Sequence, residues 1–138
     1  MAIEWSEKWA FGDDRVDAEH IEILLLVNQV LIALEERAAR PAVSTLIQAL
    51  IKRAEAHFSY EEHLMSDAEY EDSEAHHDEH QRLISALYIM VSDLLVSAIS
   101  DDNSVIGRYI EHWFIDHLEK DDAELSAFLL SRQAPLRG

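Results

Sequence analysis

Histidine recurs at helical spacing inside patterns that are otherwise apolar. His76 and His80 head the stretch "RLISALYIMVSDLL", on the stripe that continues as Leu83, Leu87, Val91 and Leu94. His57 and Glu61 follow Leu46, Leu50 and Ala54, His117 follows Ile106, Ile110 and Trp113, and His20 precedes Leu24. Residues four apart lie one turn apart on the same helix face. The fold must therefore bury helix faces that carry imidazoles and a carboxylate as well as leucines.

Four helical patterns carry these residues, at about Ala18–Ala38, Val43–Asp67, Ser73–Ile99 and Ser104–Leu130. Three glycines and two prolines in 138 residues suit helix throughout. Pro41 breaks the first pattern, Ser73 is placed to N-cap the third, and "SDDNS" reads as a loop. The faces expected inward are Ile21, Leu24, Leu25, Asn28, Leu31 and Ile32 on the first, and Leu46, Ile47, Leu50, Ala54 and Phe58 on the second. On the fourth they are Ile106, Ile110, Trp113 and Leu125. Long helices joined by short loops run antiparallel to their neighbours. The predicted fold is all-α, an up-down-up-down antiparallel four-helix bundle. It forms one domain over 1–138: an irregular arm at 1–17 anchored by Trp5, Trp9 and Phe11, the bundle at 18–130, and a frayed tail at 131–138.

In such a bundle the start of the first helix, the end of the second, the start of the third and the later part of the fourth share one level. His20, His57, Glu61, His76, His80 and His117 all fall there. A lone buried histidine is usually a hydrogen-bonded core residue, but six polar groups buried together cost more than a core tolerates unless something binds them. The chain has no cysteine, so thiolate sites and disulfides are excluded. Imidazole with carboxylate suits iron, and is compatible with manganese or zinc. The donors are too many for one octahedral ion and suit two bridged ions.

The net charge of −17 argues against nucleic acid and anionic membranes as partners. The N-terminus lacks the pattern of a signal peptide, and "ILLLV" is too short to span a bilayer. A cytoplasmic protein with no membrane insertion is expected.

A second carboxylate is expected from "HLEKDD". Asp121, four residues after His117, lies nearer its face on an ideal helix, whereas Asp122 sits about 140° around. Asp122 reaches the site only if the helix is locally distorted or the bridge lies off the His117 axis.

The segments "VDAEH" (16–20), "HFSYEEHLM" (57–65), "HHDEH" (76–80) and "HWFIDHLEKDD" (112–122), with the Trp5 arm before them, resemble the bacterial hemerythrins over nearly the whole chain. Two departures from common members are Ile21 in place of a lysine after His20, and "AEY" (68–70) where many have a glycine-containing turn. The resemblance implies seven metal ligands: His20, His57, Glu61, His76, His80, His117 and Asp122, with Asp122 taken over Asp121 against the simple wheel. It implies two iron ions bridged by Glu61, Asp122 and an oxo or hydroxo group. His76, His80 and His117 would serve one iron, and His20 and His57 the other, which is left one position short. O₂ would bind there reversibly.

Leu24, Phe58 and Trp113 stand within a turn of ligands and are expected to line the O₂ pocket and keep water out. Storage, sensing, or delivery to an oxygen-consuming enzyme are the roles this implies. The alternatives are a diiron enzyme (peroxidase, oxidase or nitric oxide scavenger) on the same centre, or a metal-buffering bundle. His63, His77 and His112 fall outside the pattern. Glu62 and Asp121 read as solvated neighbours of Glu61 and Asp122. Asp17 reads as a helix cap rather than a partner of an imidazole.

Overall fold

The computed structural model describes residues 2–96 and 103–133. A four-helix bundle fills them, with no strand among the described residues. The helices are α1 (Asp14–Glu35), α2 (Arg40–Asp67), α3 (Ser73–Val96) and α4 (Asn103–His117). From α4 the fourth rod continues through a π-helical turn (Leu118–Asp122) into α5 (Ala123–Gln133). The expected end of the third helix at Ile99 and most of "SDDNS" lie outside the described residues, as do residues 134–138 of the tail. Ser131–Gln133 belong to α5.

Helix α1 starts four residues before Ala18, because Asp13 rather than Asp17 is its cap. The Asp13 carboxylate accepts from the N–H groups of Arg15 and Val16, an arrangement typically worth about 1 kcal/mol. Asp17 instead accepts from the N–H groups of Phe11 and Gly12 and ties the arm to the helix. Pro41 sits in the first turn of α2, where no hydrogen bond is lost. The α1–α2 and α2–α3 connections close alike. Arg37 (φ 55) and Glu69 (φ 53) take left-handed conformations, and the following N–H groups of Ala38 and Tyr70 return to the carbonyls of Ala33 and Met65. These are Schellman endings built without the usual glycine.

The inward face of α1 differs from the expected one. Val16, His20, Ile23, Leu24, Val27, Val30, Leu31 and Leu34 are buried, while Ile21, Leu25 and Ile32 are exposed. In "IEILLLV" apolar side chains surround the helix, so periodicity leaves its phase open. Asn28 is half-buried and pairs with both backbone groups of Ile3, serving the arm rather than the core. On α3 the expected stripe of Leu83, Leu87 and Leu94 is buried, with Val91 half-buried.

Helix α1 packs against α2 and α4, and α2 against α3. Among the described residues, the backbones of α3 and α4 stay further apart than those of these pairs. Trp113 on α4 spans this seam by donating its indole N–H to the Leu83 carbonyl at 2.9 Å.

The interior is layered. A large apolar core includes Val27, Ile47, Leu50, Leu87 and Ile110. A small second cluster holds Phe11, Val16, Met65, Tyr70 and Leu125. On every rod the expected ligand positions fall between the two: after Val16 on α1, before Met65 on α2, after Tyr70 at the head of α3, and before Leu125 on the fourth rod. The site is therefore a polar layer with apolar packing on both sides, not an open end of the bundle.

The arm packs on both sides, Trp5 and Trp9 on the large core and Phe11 in the second cluster. Trp5 and Trp9 meet edge to face at 5.7 Å, and Trp9 meets Phe114 at 6.1 Å. The Trp9 indole donates to Glu119, which also pairs with Lys8. Ser126 donates to the Phe11 carbonyl, and the Phe11 ring lies edge-on to His20 at 6.4 Å.

Candidate metal centre

The polar layer brings all seven expected ligand side chains together. His20, His57, Glu61, His76, His80, His117 and Asp122 are each buried, with Glu61 and His80 at 0% exposure. Glu61 sits at the centre. Its Oε1 lies 2.7 Å from His76 Nε2 and 3.2 Å from His80 Nε2, while its Oε2 lies 2.8 Å from His57 Nε2 and 3.6 Å from His20 Nε2. Asp122 divides itself the same way. Oδ1 faces His117 (3.0 Å) and His76 (3.3 Å), and Oδ2 faces His20 (3.1 Å). Each carboxylate thus turns one oxygen to each of two imidazole groups.

The π-helical turn explains how Asp122 gets there. Widening one turn from an i→i+4 to an i→i+5 pattern brings residues five apart onto one face. Asp122 is buried beside His117 Nε2, while Asp121 stays half-buried and approaches the outer nitrogen, His117 Nδ1, at 3.3 Å. The ideal-wheel preference for Asp121 fails because the helix is not ideal at that point.

The imidazoles present Nε2 inward, and three of them are held from outside by carboxylates that the sequence did not single out for this. His57 Nδ1–H donates to Glu19 at 2.8 Å, His80 Nδ1–H to Glu62 at 2.8 Å, and His117 Nδ1 faces Asp121. Glu62 and Asp121 are thus not merely solvated neighbours. Glu62 also accepts from the exposed His77, whereas His112 faces Asp116 on the surface and His63 is exposed. Glu19 is buried and also takes Arg15 at 3.2 Å, with Arg53 at 3.9 Å. Its position beside His20 was the only signal in the sequence, because its partner lies on another helix. Outer carboxylates of this kind fix the tautomer and orientation of a ligand imidazole.

The donor atoms fit cations. Nε2 of His20, His57 and His117, Oε2 of Glu61 and both Asp122 oxygens are buried without an oriented hydrogen-bond partner among the described residues. In the metal-free chain protons supply the missing positive charge. Burial opposes the charge on His20 and His76, but Asp122 and Glu61 overcome it and raise both to about 9. His117 rises well above its usual range against burial, through Asp122 and Asp121. Burial pushes Glu61 up, yet its imidazole neighbours hold it well below the usual carboxylate range. Burial and the Glu61 charge likewise push Asp122 up, and His117 and His20 outweigh them.

The donor atoms fall into two overlapping sets, each within 4.8 Å. One is Glu61, His76, His80, His117 and Asp122, and the other His20, His57, Glu61 and Asp122. A family model described as "Hemerythrin HHE cation binding domain" matches residues 12–129. The chain belongs to the hemerythrin family. It is 28% identical over 121 residues to a bacteriohemerythrin of Pseudomonas aeruginosa, covering 86% of this chain and 76% of that protein. It is 28% identical to a bacteriohemerythrin of Ralstonia nicotianae, over 94% of this chain and 90% of that one. A myohemerythrin of Theromyzon tessulatum is 23% identical, over 86% and 87%. In this chain the buried His/Glu/Asp cluster points to a metal site, with iron the metal the family implies. The two departures from common members stay clear of the cluster. Ile21 is exposed, and Glu69 occupies the left-handed position where glycine is usual.

A cavity of about 20 Å³ borders the smaller set. His20, His57, His117 and Asp122 form its polar side, and Ile23, Phe58 and Phe114 its apolar side, together with Trp113. Of the three expected lining residues, Phe58 and Trp113 line it. Leu24 is buried in the apolar core and does not border this cavity, whereas Ile23 does. No helix of the described residues is long and apolar enough to cross a membrane.

Proposed function

We propose that this chain binds O₂ reversibly at a pair of non-haem irons, with an oxo or hydroxo group completing the bridge. The observation that carries the proposal is the division of Glu61 and Asp122, each with one oxygen toward either imidazole group. His76, His80 and His117 would hold one iron and His20 and His57 the other, with the two carboxylates spanning them. The smaller set is one donor short of the larger, and the cavity is lined by both of its imidazoles and by one of the larger set, His117. An iron pair in such a site supplies reversible electron donation to O₂ without a haem.

The chain's own residues orient and exclude. Phe58 stacks on His80 at 3.9 Å with the rings 5° from parallel, which fixes that imidazole. Glu19 holds His57 through its outer nitrogen. Ile23, Phe58, Trp113 and Phe114 present no charge to the cavity, whose volume suits about one water-sized molecule. A bound diatomic is thereby kept from bulk water and its protons. Storage, sensing, or delivery to an oxygen-consuming enzyme all use this property.

The test is an iron count on the purified protein, followed by anaerobic reduction and visible spectra before air, after air and after evacuation. Two irons per chain and a band that appears in air and fades under vacuum are expected. A mononuclear or iron-free protein overturns the proposal. So does a band that never reverses, which would favour an enzyme.

A further inference from the structure

A surface cleft of about 290 Å³ opens along the α3–α4 seam. Three of its wall residues, Leu83, Trp113 and His117, also line the cavity at the metal centre. Each of these side chains touches both spaces, so the partition there is one side chain thick. All three are buried, and they differ in what holds them. His117 faces a carboxylate at each ring nitrogen, Asp121 outside at 3.3 Å and Asp122 inside at 3.0 Å. Leu83 belongs to the packed stripe of α3. The Trp113 indole is held across the seam by one neutral hydrogen bond to the Leu83 carbonyl. That carbonyl lies within α3 and keeps its helical partner when the indole leaves. The α3 and α4 backbones are also packed less closely than those of α1 with α4 or α2 with α3 among the described residues. On the opposite side of the centre, Phe11, Val16, Met65, Tyr70 and Leu125 pack as a cluster several residues deep.

We propose that small uncharged ligands reach the centre through the α3–α4 seam, and that Trp113 is the gate they pass. Swinging the indole away from Leu83 joins the cleft to the cavity, and its return closes the cavity over the ligand. The mouth of the cleft carries the Glu79–Arg82 ion pair, Asp116 and Lys120. Ions are retained at that mouth, while a diatomic molecule crosses to a chamber with room for about one. The identity of the ligand rests on the O₂-binding proposal. The route rests on the two spaces and their shared wall.

The experiment compares wild type with Trp113→Phe, which keeps an aromatic ring and deletes the N–H. O₂ association and dissociation are followed by stopped flow in the iron-loaded protein. Both rates are expected to rise about tenfold, the equivalent of one net hydrogen bond, with Kd within about twofold of wild type. A gate moves both rates together, whereas a residue that contacts the bound ligand shifts Kd mainly through dissociation. A second measurement uses wild-type protein alone. Deuterium exchange at the Trp113 indole is read by ultraviolet resonance Raman, with the signals of Trp5 and Trp9 assigned by their Phe variants. Exchange faster than global unfolding is expected. Unchanged rates in Trp113→Phe, a change confined to one rate, or indole exchange only through global unfolding would each overturn the gate. If the protein takes up no O₂, the functional proposal fails, and the indole exchange still decides whether the seam opens.

Discussion

Two layers of this bundle are equally buried and are held together by opposite means. In the apolar core, Val27, Ile47, Leu50, Leu87 and Ile110 each show 0% exposure and belong to one hydrophobic cluster. Each such side chain stabilises the fold by roughly 1.5–3 kcal/mol through removal from water. In the polar layer, His80 and Glu61 show the same exposure, yet their burial is a cost until an opposite charge is present. The apolar layers on either side let the bundle carry that cost. The fold is set by one kind of packing, and the layer between is left free for chemistry.

Removing Glu61 should break the contrast most completely. Its two oxygens face four imidazoles, so Glu61→Ala is expected to drop the iron content below one per chain by elemental analysis, with helicity retained in the far-ultraviolet spectrum. Leu87→Ala should do the reverse. A loss of about 2–5 kcal/mol in denaturant unfolding is expected, at unchanged iron stoichiometry. If Leu87→Ala emptied the centre, the layers would not be independent.

Acidity separates the layers without mutation. In the metal-free chain, His20 and His76 are raised from 6.5 to about 9, so their contribution is complete below about pH 6.5 and lost as pH rises through about 9. Glu61 and Asp122 are depressed from 4.5 and 3.8, so theirs is present above those values and lost as pH falls below them. A calorimetric series should show the metal-free Tm highest at about pH 4.5–6.5 and falling toward pH 9. Metal must displace those protons, so the loaded protein should not show the alkaline fall. Parallel curves would mean that the cluster does not hold the metal.

Glu19→Gln is a finer probe, keeping a hydrogen-bond acceptor for His57 while deleting the charge that also meets Arg15. Metal affinity in a chelator competition should fall by about 10–100-fold, with the fold intact. The smallest effect belongs to the surface. Glu69→Gly relieves a left-handed residue (φ 53) and should raise stability by about 0.5–1 kcal/mol without touching iron content.

Legibility in the sequence followed the same division. Four helices could be read because low Gly and Pro content, Pro41 and the leucine stripe of α3 are local signals. The phase of α1 could not, since "IEILLLV" offers apolar atoms in every direction; His20 fixes it by its place beside Ile23 and Leu24. The gathering of His20, His57, Glu61, His76, His80 and His117 was legible because they break apolar stripes at one level, whereas Asp122 came only from the family resemblance, since an ideal wheel favours Asp121. Glu19, Glu62 and Asp121 escaped because an acidic residue beside a ligand looks the same whether it meets water or an imidazole from another helix. The capping cluster escaped because its members come from the arm and from several helices, and no local pattern joins Phe11 to Leu125.

The wide turn at Leu118–Asp122 inserts a shift into the register of the fourth rod. Positions before and after it belong to two separate frames of counting. Straightening that turn into a regular helix, with no residue removed, would swing everything downstream by about 100°. The carboxylate at 122 and the leucine that seals the capping cluster would then miss their marks together, so anyone redesigning this rod must keep two rulers.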